Sequence, residues 1–125
     1  MFVSDGLGVN ESGHLTVGGC DTVSLAKKYG TPYMCYDENM IRKNCREFVK
    51  SMEENYDGNG LVCYASKAFS CLEMCRICKE EKMGLDVVSG GEIFTAVSRL
   101  NVFVSTATIR LMMSLQWLLT IMSAE

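Results

Sequence analysis

The sequence predicts an α/β fold with a parallel sheet, and three observations carry that expectation. Short apolar runs bounded by Gly and Asp alternate with longer segments whose apolar residues recur every three or four positions. Two of the longer segments open on Ser-x-x-Glu, the signature of a helix start closed by reciprocal capping. The resulting order of strand, helix, strand, helix with short loops is that of βαβ units.

The elements follow in chain order. His14-Leu15-Thr16-Val17 reads as a short strand. Asp21 can cap a helix running through Lys28, with Gly30 as its left-handed stop and Thr31-Pro32 beyond. Tyr33 to Tyr36 reads as a second short strand. Asp37 then caps a helix carrying Ile41, Cys45, Phe48, Val49 and Met52 at helical spacing. Asp57-Gly58-Asn59-Gly60 is a turn, and Leu61 to Ala65, LVCYA, is a buried strand. Ser70 with Glu73, and Ser89 with Glu92, supply the two capping boxes; Leu85-Asp86-Val87-Val88 is the strand between those helices.

Composition narrows the class. The 125 residues are 48% hydrophobic and 22% charged with one Pro and 11 Gly, enough for a globular domain and unlike disordered or collagen-like chains. With 12 Lys+Arg against 15 Asp+Glu the net charge is −3, so no basic surface is expected for nucleic acid or for an anionic membrane. The seven cysteines sit mostly in apolar runs, and MFVSDGLGVN has neither the basic nor the apolar region of an export signal. Reduced thiols in the cytoplasm are therefore expected rather than a disulfide framework.

Charge is distributed unevenly: after residue 98 only Arg99, Arg110 and Glu125 are charged, and no Gly follows Gly91. Leu111 to Met122 is apolar on all sides, yet extending it upstream meets Arg110 and Ser/Thr residues, which argues against a membrane span. The chain thus divides into 1–55, an approach of short strands and two helices; 56–98, the first strand–helix units of the main sheet; and 99–125, a tail of different character.

The residue with the most chemical content is Lys67, in Tyr64-Ala65-Ser66-Lys67-Ala68-Phe69. It follows a buried strand at its C-terminal end, the end that carries chemistry in parallel α/β folds. An ammonium withdrawn from water there would favour its neutral form, the form that attacks carbonyls. A lysine reaching out to solvent is the plainer outcome of the same pattern.

YASKAF, the cysteine-bearing segment after it and GLDVVSGGE, preceded by LTVGGCDTVSLAKKYGTPYMCYDENMIRKNCREF, closely resemble bacterial diaminopimelate decarboxylases, of the alanine racemase and ornithine decarboxylase fold type. The resemblance covers about Leu15 to Val97. It implies a partial (β/α)8 barrel with LVCYA and LDVV as its first two strands, and pyridoxal 5'-phosphate as cofactor, held by Lys67. It implies decarboxylation of meso-diaminopimelate to L-lysine, a homodimer in the intact family, and a supporting role for Asp86 near the Lys67 amine. The family's stacking His, phosphate-binding glycines and substrate-carboxylate binders belong to later segments, so no turnover is expected of these residues alone. A cofactor-binding barrel fragment without catalysis is the alternative. Ser89 to Glu92 is read as capping rather than as an anion site.

The tail departs from the family, in which the helix after GGE leads to a strand and a run resembling HGNNK. Met112-Met113 must be encoded ATGATG, so the frame starting at second codon positions holds a stop. The frame starting at third positions can read HGNNKTYDELTMAVDNNVG across Ser105 to Ala124 with permitted codons. The expectation is a frameshift near codons 98 to 104.

Cys71, Cys75 and Cys78 have the C-x3-C-x2-C spacing that holds an iron–sulfur cluster in radical S-adenosylmethionine enzymes. The same spacing places three thiols on one face of a capped helix, as a core stripe does, and no metal is expected. His14, the single histidine, is read as an exposed residue without a partner.

Overall fold

A computed structural model describes residues 4–100, 104 and 105. The chain divides into two compact units, Met1–Asn44 and Cys45–Glu125.

The first unit holds an antiparallel meander of β1 (Leu7–Val9), β2 (Leu15–Val17) and β3 (Cys20–Asp21), paired in that order. Strands β2 and β3 join through Gly18 and Gly19, at φ 55° and 81°. Two consecutive positive φ values are what a two-residue hairpin needs to follow the strands' own twist. Helix α1 (Thr22–Tyr29) begins on Asp21, whose Oδ1 accepts from Val23 N at 2.8 Å and Ser24 N at 3.2 Å, and ends at Gly30, φ 83°. The helix read from Asp21 to Gly30 is therefore present.

Tyr33 to Tyr36 is not a strand: it joins neither sheet of the described residues and is exposed throughout. A short apolar run becomes a strand only when a second backbone meets its hydrogen bonds. Tyr33 instead donates its hydroxyl to Thr22 O at 2.8 Å. Asp37 caps α2 (Glu38–Tyr56) through Met40 N at 3.2 Å. Of its apolar stripe Cys45 is buried, but Phe48 is 65% exposed, against the expectation of a packed face.

The second unit holds a parallel sheet of β4 (Cys63–Ala65), β5 (Gly84–Asp86) and β6 (Val104–Ser105). Helices α3 (Leu72–Glu80) and α4 (Gly90–Leu100) are the two crossovers. This is a βαβαβ arrangement, the α/β class expected. Both predicted strands are shorter than read: the ladder starts where Gly84 N donates to Val62 O at 2.9 Å, and Leu61 is exposed. The core is Met74, Cys75, Ile77 and Cys78 of α3, Met83, Leu85 and Val87 around β5, and Ile93 and Ala96 of α4.

The two predicted capping boxes fare differently. At α4 Glu92 Oε2 accepts from Val88 N at 2.7 Å and Ser89 N at 2.9 Å, while Ser89 Oγ accepts from Glu92 N at 3.3 Å. At α3 the cap is Cys71, not Ser70: the Cys71 Sγ accepts from Met74 N at 3.4 Å. Glu73 does not reach back because it pairs with Arg76 one turn on. The tail reading falls on residues 99–125, which lie outside the described residues except at 99–100 and 104–105, where the backbone completes α4 and forms β6.

Candidate functional site

The site is built at the C-terminal edge of the parallel sheet. Register sets Cys63 opposite Gly84, Tyr64 opposite Leu85 and Ala65 opposite Asp86. Both chains therefore leave the sheet level with one another, β4 into the turn that carries Lys67 and β5 toward the start of α4. The turn is one 3-10 helix, Ser66–Ala68, closed by Phe69 N donating to Ser66 O at 3.2 Å.

Lys67 is exposed, and no hydrogen bond or ion pair joins it to a described residue. The desolvated amine expected from the strand pattern is thus not found here. The side chain, at the C-terminal end of β4, reaches water. Asp86 ends the neighbouring strand, half-buried, but forms no ion pair with Lys67. Its carboxylate acts on Cys63 instead: burial first, and Asp86 after it, push that thiol above its usual range.

Ser66 was not singled out from sequence, and it is the unusual member of the site. It is 2% exposed, and its Oγ has no hydrogen-bond partner among the described residues. Buried hydroxyls are nearly always paired. Strand alternation carried one residue past Ala65 turns Ser66 inward with Tyr64's face, the one sequence signal that could have found it.

Glu92 is held below the usual carboxylate range, chiefly by Val88 N–H, with Ser89 adding to it. Both its amide bonds use Oε2. With the carboxylate already on those amides, the Ser89–Glu92 turn is a closed cap rather than an open anion cradle.

Cys75 is 3% exposed and Cys78 0%, in the core as a helical stripe predicts, while Cys71 serves as a cap. Burial pushes the Cys78 thiol up to about 12 and raises Cys75 as well. Cluster ligation needs thiolates, which such burial opposes. Among the described residues no group of three His, Cys, Asp or Glu side chains is arranged to hold a metal. Nor is any helix there long and apolar enough to cross a membrane.

In the first unit His14 is not alone. Its Nδ1 lies 3.0 Å from Asp21 Oδ2, which also accepts from Asn10 Nδ2 at 3.0 Å. That hydrogen bond to His14 is the largest cause holding Asp21 down at about 2. The pairing has a structural purpose, since Asp21 also caps α1.

Residues 38–114 match the sequence model of a family described as pyridoxal-dependent decarboxylase, pyridoxal binding domain. Among curated proteins, the chain is 51% identical over 89 residues to a diaminopimelate decarboxylase of Bacillus methanolicus, 71% of this chain and 20% of that one. It is 46% identical over 101 residues to one of Bacillus subtilis, 78% and 22% of the two chains. Among solved structures it resembles a diaminopimelate decarboxylase from M. jannaschii in complex with L-lysine: TM-score 0.63, 33% identity, 77% of this chain and 23% of that one. The chain spans about a fifth of the length of the curated relatives it matches.

Proposed function

Since this chain belongs to the pyridoxal-binding domain family of the pyridoxal-dependent decarboxylases, we propose that it is the N-terminal stretch of an enzyme converting meso-diaminopimelate to L-lysine. In this reading the parallel sheet opens a (β/α)8 barrel, with β4 and β5 its first staves. Pyridoxal 5'-phosphate, when bound, supplies an electron sink for the charge left as carbon dioxide departs.

The observation that carries the reading is YASKAF itself, with Lys67 directly after β4 at the edge where a barrel keeps its chemistry. The residues present fit an aldehyde cofactor in two respects. The Lys67 amine is accessible and unpaired among the described residues, and an unpaired hydroxyl is buried immediately before it. Lys67 holds the cofactor; Asp86, one strand over, is the nearby acid that orients the amine once later strands narrow the mouth. Glu92 and Ser89 keep α4 anchored behind them.

A full (β/α)8 barrel needs about 250 residues, so in this reading the 125-residue chain alone is inactive, and the family resemblance implies a homodimer for the intact enzyme. The seven free thiols suit a reducing cytoplasm. The loss of charge after residue 98 fits out-of-frame translation past Ser105. The family match, which runs on to residue 114, stands against that part of the reading. The gene decides it: codons incompatible with HGNNKTYDELTMAVDNNVG exclude the frameshift.

Borohydride trapping with pyridoxal 5'-phosphate tests the site. Label recovered on the Lys67 peptide and lost in Lys67→Ala supports it; label on other lysines alone overturns it. In a frame-restored, full-length version, carbon dioxide and lysine released from diaminopimelate mark the enzyme, and cofactor loading without turnover marks a carrier.

A further inference from the structure

We infer that Asn59 is a self-modification site: the Asn59–Gly60 turn closes on its own backbone, loses ammonia and ages to aspartate and isoaspartate at the entry to β4. The chemistry needs no cofactor and stands apart from Lys67.

The residue types come first. Asn59 is the only asparagine in the sequence followed by glycine. Without a Cβ, glycine leaves its backbone nitrogen open to approach by the preceding side chain. That nitrogen attacks Asn59 Cγ, a five-membered succinimide forms, and the amide nitrogen leaves as ammonia with the proton that Gly60 N gives up. Water then opens the ring at either carbonyl. One opening gives aspartate; the other gives isoaspartate, in which the chain runs through the former side chain.

The structure leaves this site open and closes the other described asparagines. Residues 57–60 are exposed throughout. Asn59 makes one hydrogen bond among the described residues, from its backbone N to Tyr56 O at 2.8 Å, so its side-chain amide is unengaged there. Gly60 N donates to Gly58 O at 2.9 Å across a three-residue turn, an exposed bond that opens at little cost. By contrast Asn10 is held at both ends, its Oδ1 by Ser12 N and His14 N and its Nδ2 on Asp21. Asn55 donates its Nδ2 to Ser51 O at 2.9 Å. Asn39 and Asn44 precede amides already engaged, Met40 N by the Asp37 cap and Cys45 N by the α2 ladder.

Position gives the change its reach. A Cβ at Gly60 would lie 2.6 Å from Met52 Sδ, so the Gly60 backbone is pressed against α2. Two residues on, Val62 O accepts from Gly84 N at 2.9 Å, where the β4–β5 ladder starts. Isoaspartate adds one backbone carbon just before Gly60, which must shift off Met52 or draw Val62 away from Gly84. Aspartate adds charge alone.

The test ages the native 125-residue chain at mildly alkaline pH and maps it by mass spectrometry. Deamidation is expected at Asn59 first, as fast as in urea-unfolded chain, with isoaspartate told from aspartate by a protease that cuts before aspartate only. Gly60→Ala, whose methyl crowds the attacking nitrogen, should slow it about tenfold. Asn59→Gln should all but stop it, because the longer side chain closes only a six-membered ring. In the isoaspartate form the Gly84 amide is expected to exchange faster than in fresh protein or in Asn59→Asp. Earlier loss of ammonia from another asparagine, protection of Asn59 in the native chain, or an undiminished rate in Gly60→Ala overturns the site. Unchanged Gly84 exchange in the isoaspartate form overturns its reach into β4.

Discussion

Cys63 and Asp86 share the face where β4 and β5 run side by side, and the aspartate's charge adds to burial in holding the thiol protonated. The coupling gives a direct handle on Asp86. A negative neighbour disfavours the thiolate, so Asp86→Asn should lower the Cys63 pKa and speed its alkylation at mildly alkaline pH. An unchanged rate, followed by mass spectrometry at Cys63, would show that burial alone sets this thiol.

Asp21 gives the acid limb of stability. Its folded pKa, about 2, lies below the ordinary 3.8, so folding favours the charged carboxylate. The stabilisation is whole above pH 3.8 and drains away as pH falls toward 2. Asp21→Asn should flatten acid unfolding across that interval, as followed by circular dichroism. The same slope in both proteins would assign acid sensitivity to other carboxylates.

Gly18 and Gly19 should not tolerate substitution equally. Both have positive φ, so alanine at either costs about 1–2 kcal/mol in backbone strain. A Cβ at Gly18 would in addition come within 3.0 Å of Asp37 Cγ, whereas one at Gly19 meets nothing within 4 Å. Denaturation midpoints should therefore fall further for Gly18→Ala than for Gly19→Ala; the reverse order would mean the Asp37 side chain moves aside freely.

Thiol chemistry separates core from surface. Cys20 and Cys35 are exposed and should react with a disulfide reagent in the native chain, while Cys75 and Cys78 wait for unfolding. Cys78→Ser places a hydroxyl in a fully buried site and should cost about 1–3 kcal/mol by chemical denaturation. Prompt modification of Cys78 in folded protein would revive the idea of an accessible cluster ligand.

What the sequence made legible was local. Asp21 and Gly30 bracket α1 because a cap and a stop act within a few residues, and Ser89 with Glu92 closes α4 for the same reason. LVCYA and LDVV read as strands because both are apolar runs between turns. The failures each needed a distant partner. Tyr33 to Tyr36 is a short apolar run like a strand but joins neither sheet among the described residues. Glu73 had the spacing of a capping box and was taken by Arg76. His14 meets Asp21 only because β2 and β3 pair Thr16 with Asp21, bringing the residue two positions along within reach. At the site, Lys67 was found by its letters and its strand end. Its exposure depends on what surrounds the sheet edge, and the burial of Ser66 depends on the packing around its turn, neither of which the local letters carry.

Helix α3 begins on sulfur rather than oxygen, and that choice makes its first turn chemically vulnerable. Peroxide or an alkylating agent that consumes the Cys71 lone pairs would strip Met74 of its acceptor and fray the helix from its start. Damage at one half-buried atom would then spread into the hydrophobic interior through Met74 and Cys75, tying the packing of this segment to the redox state of one thiol.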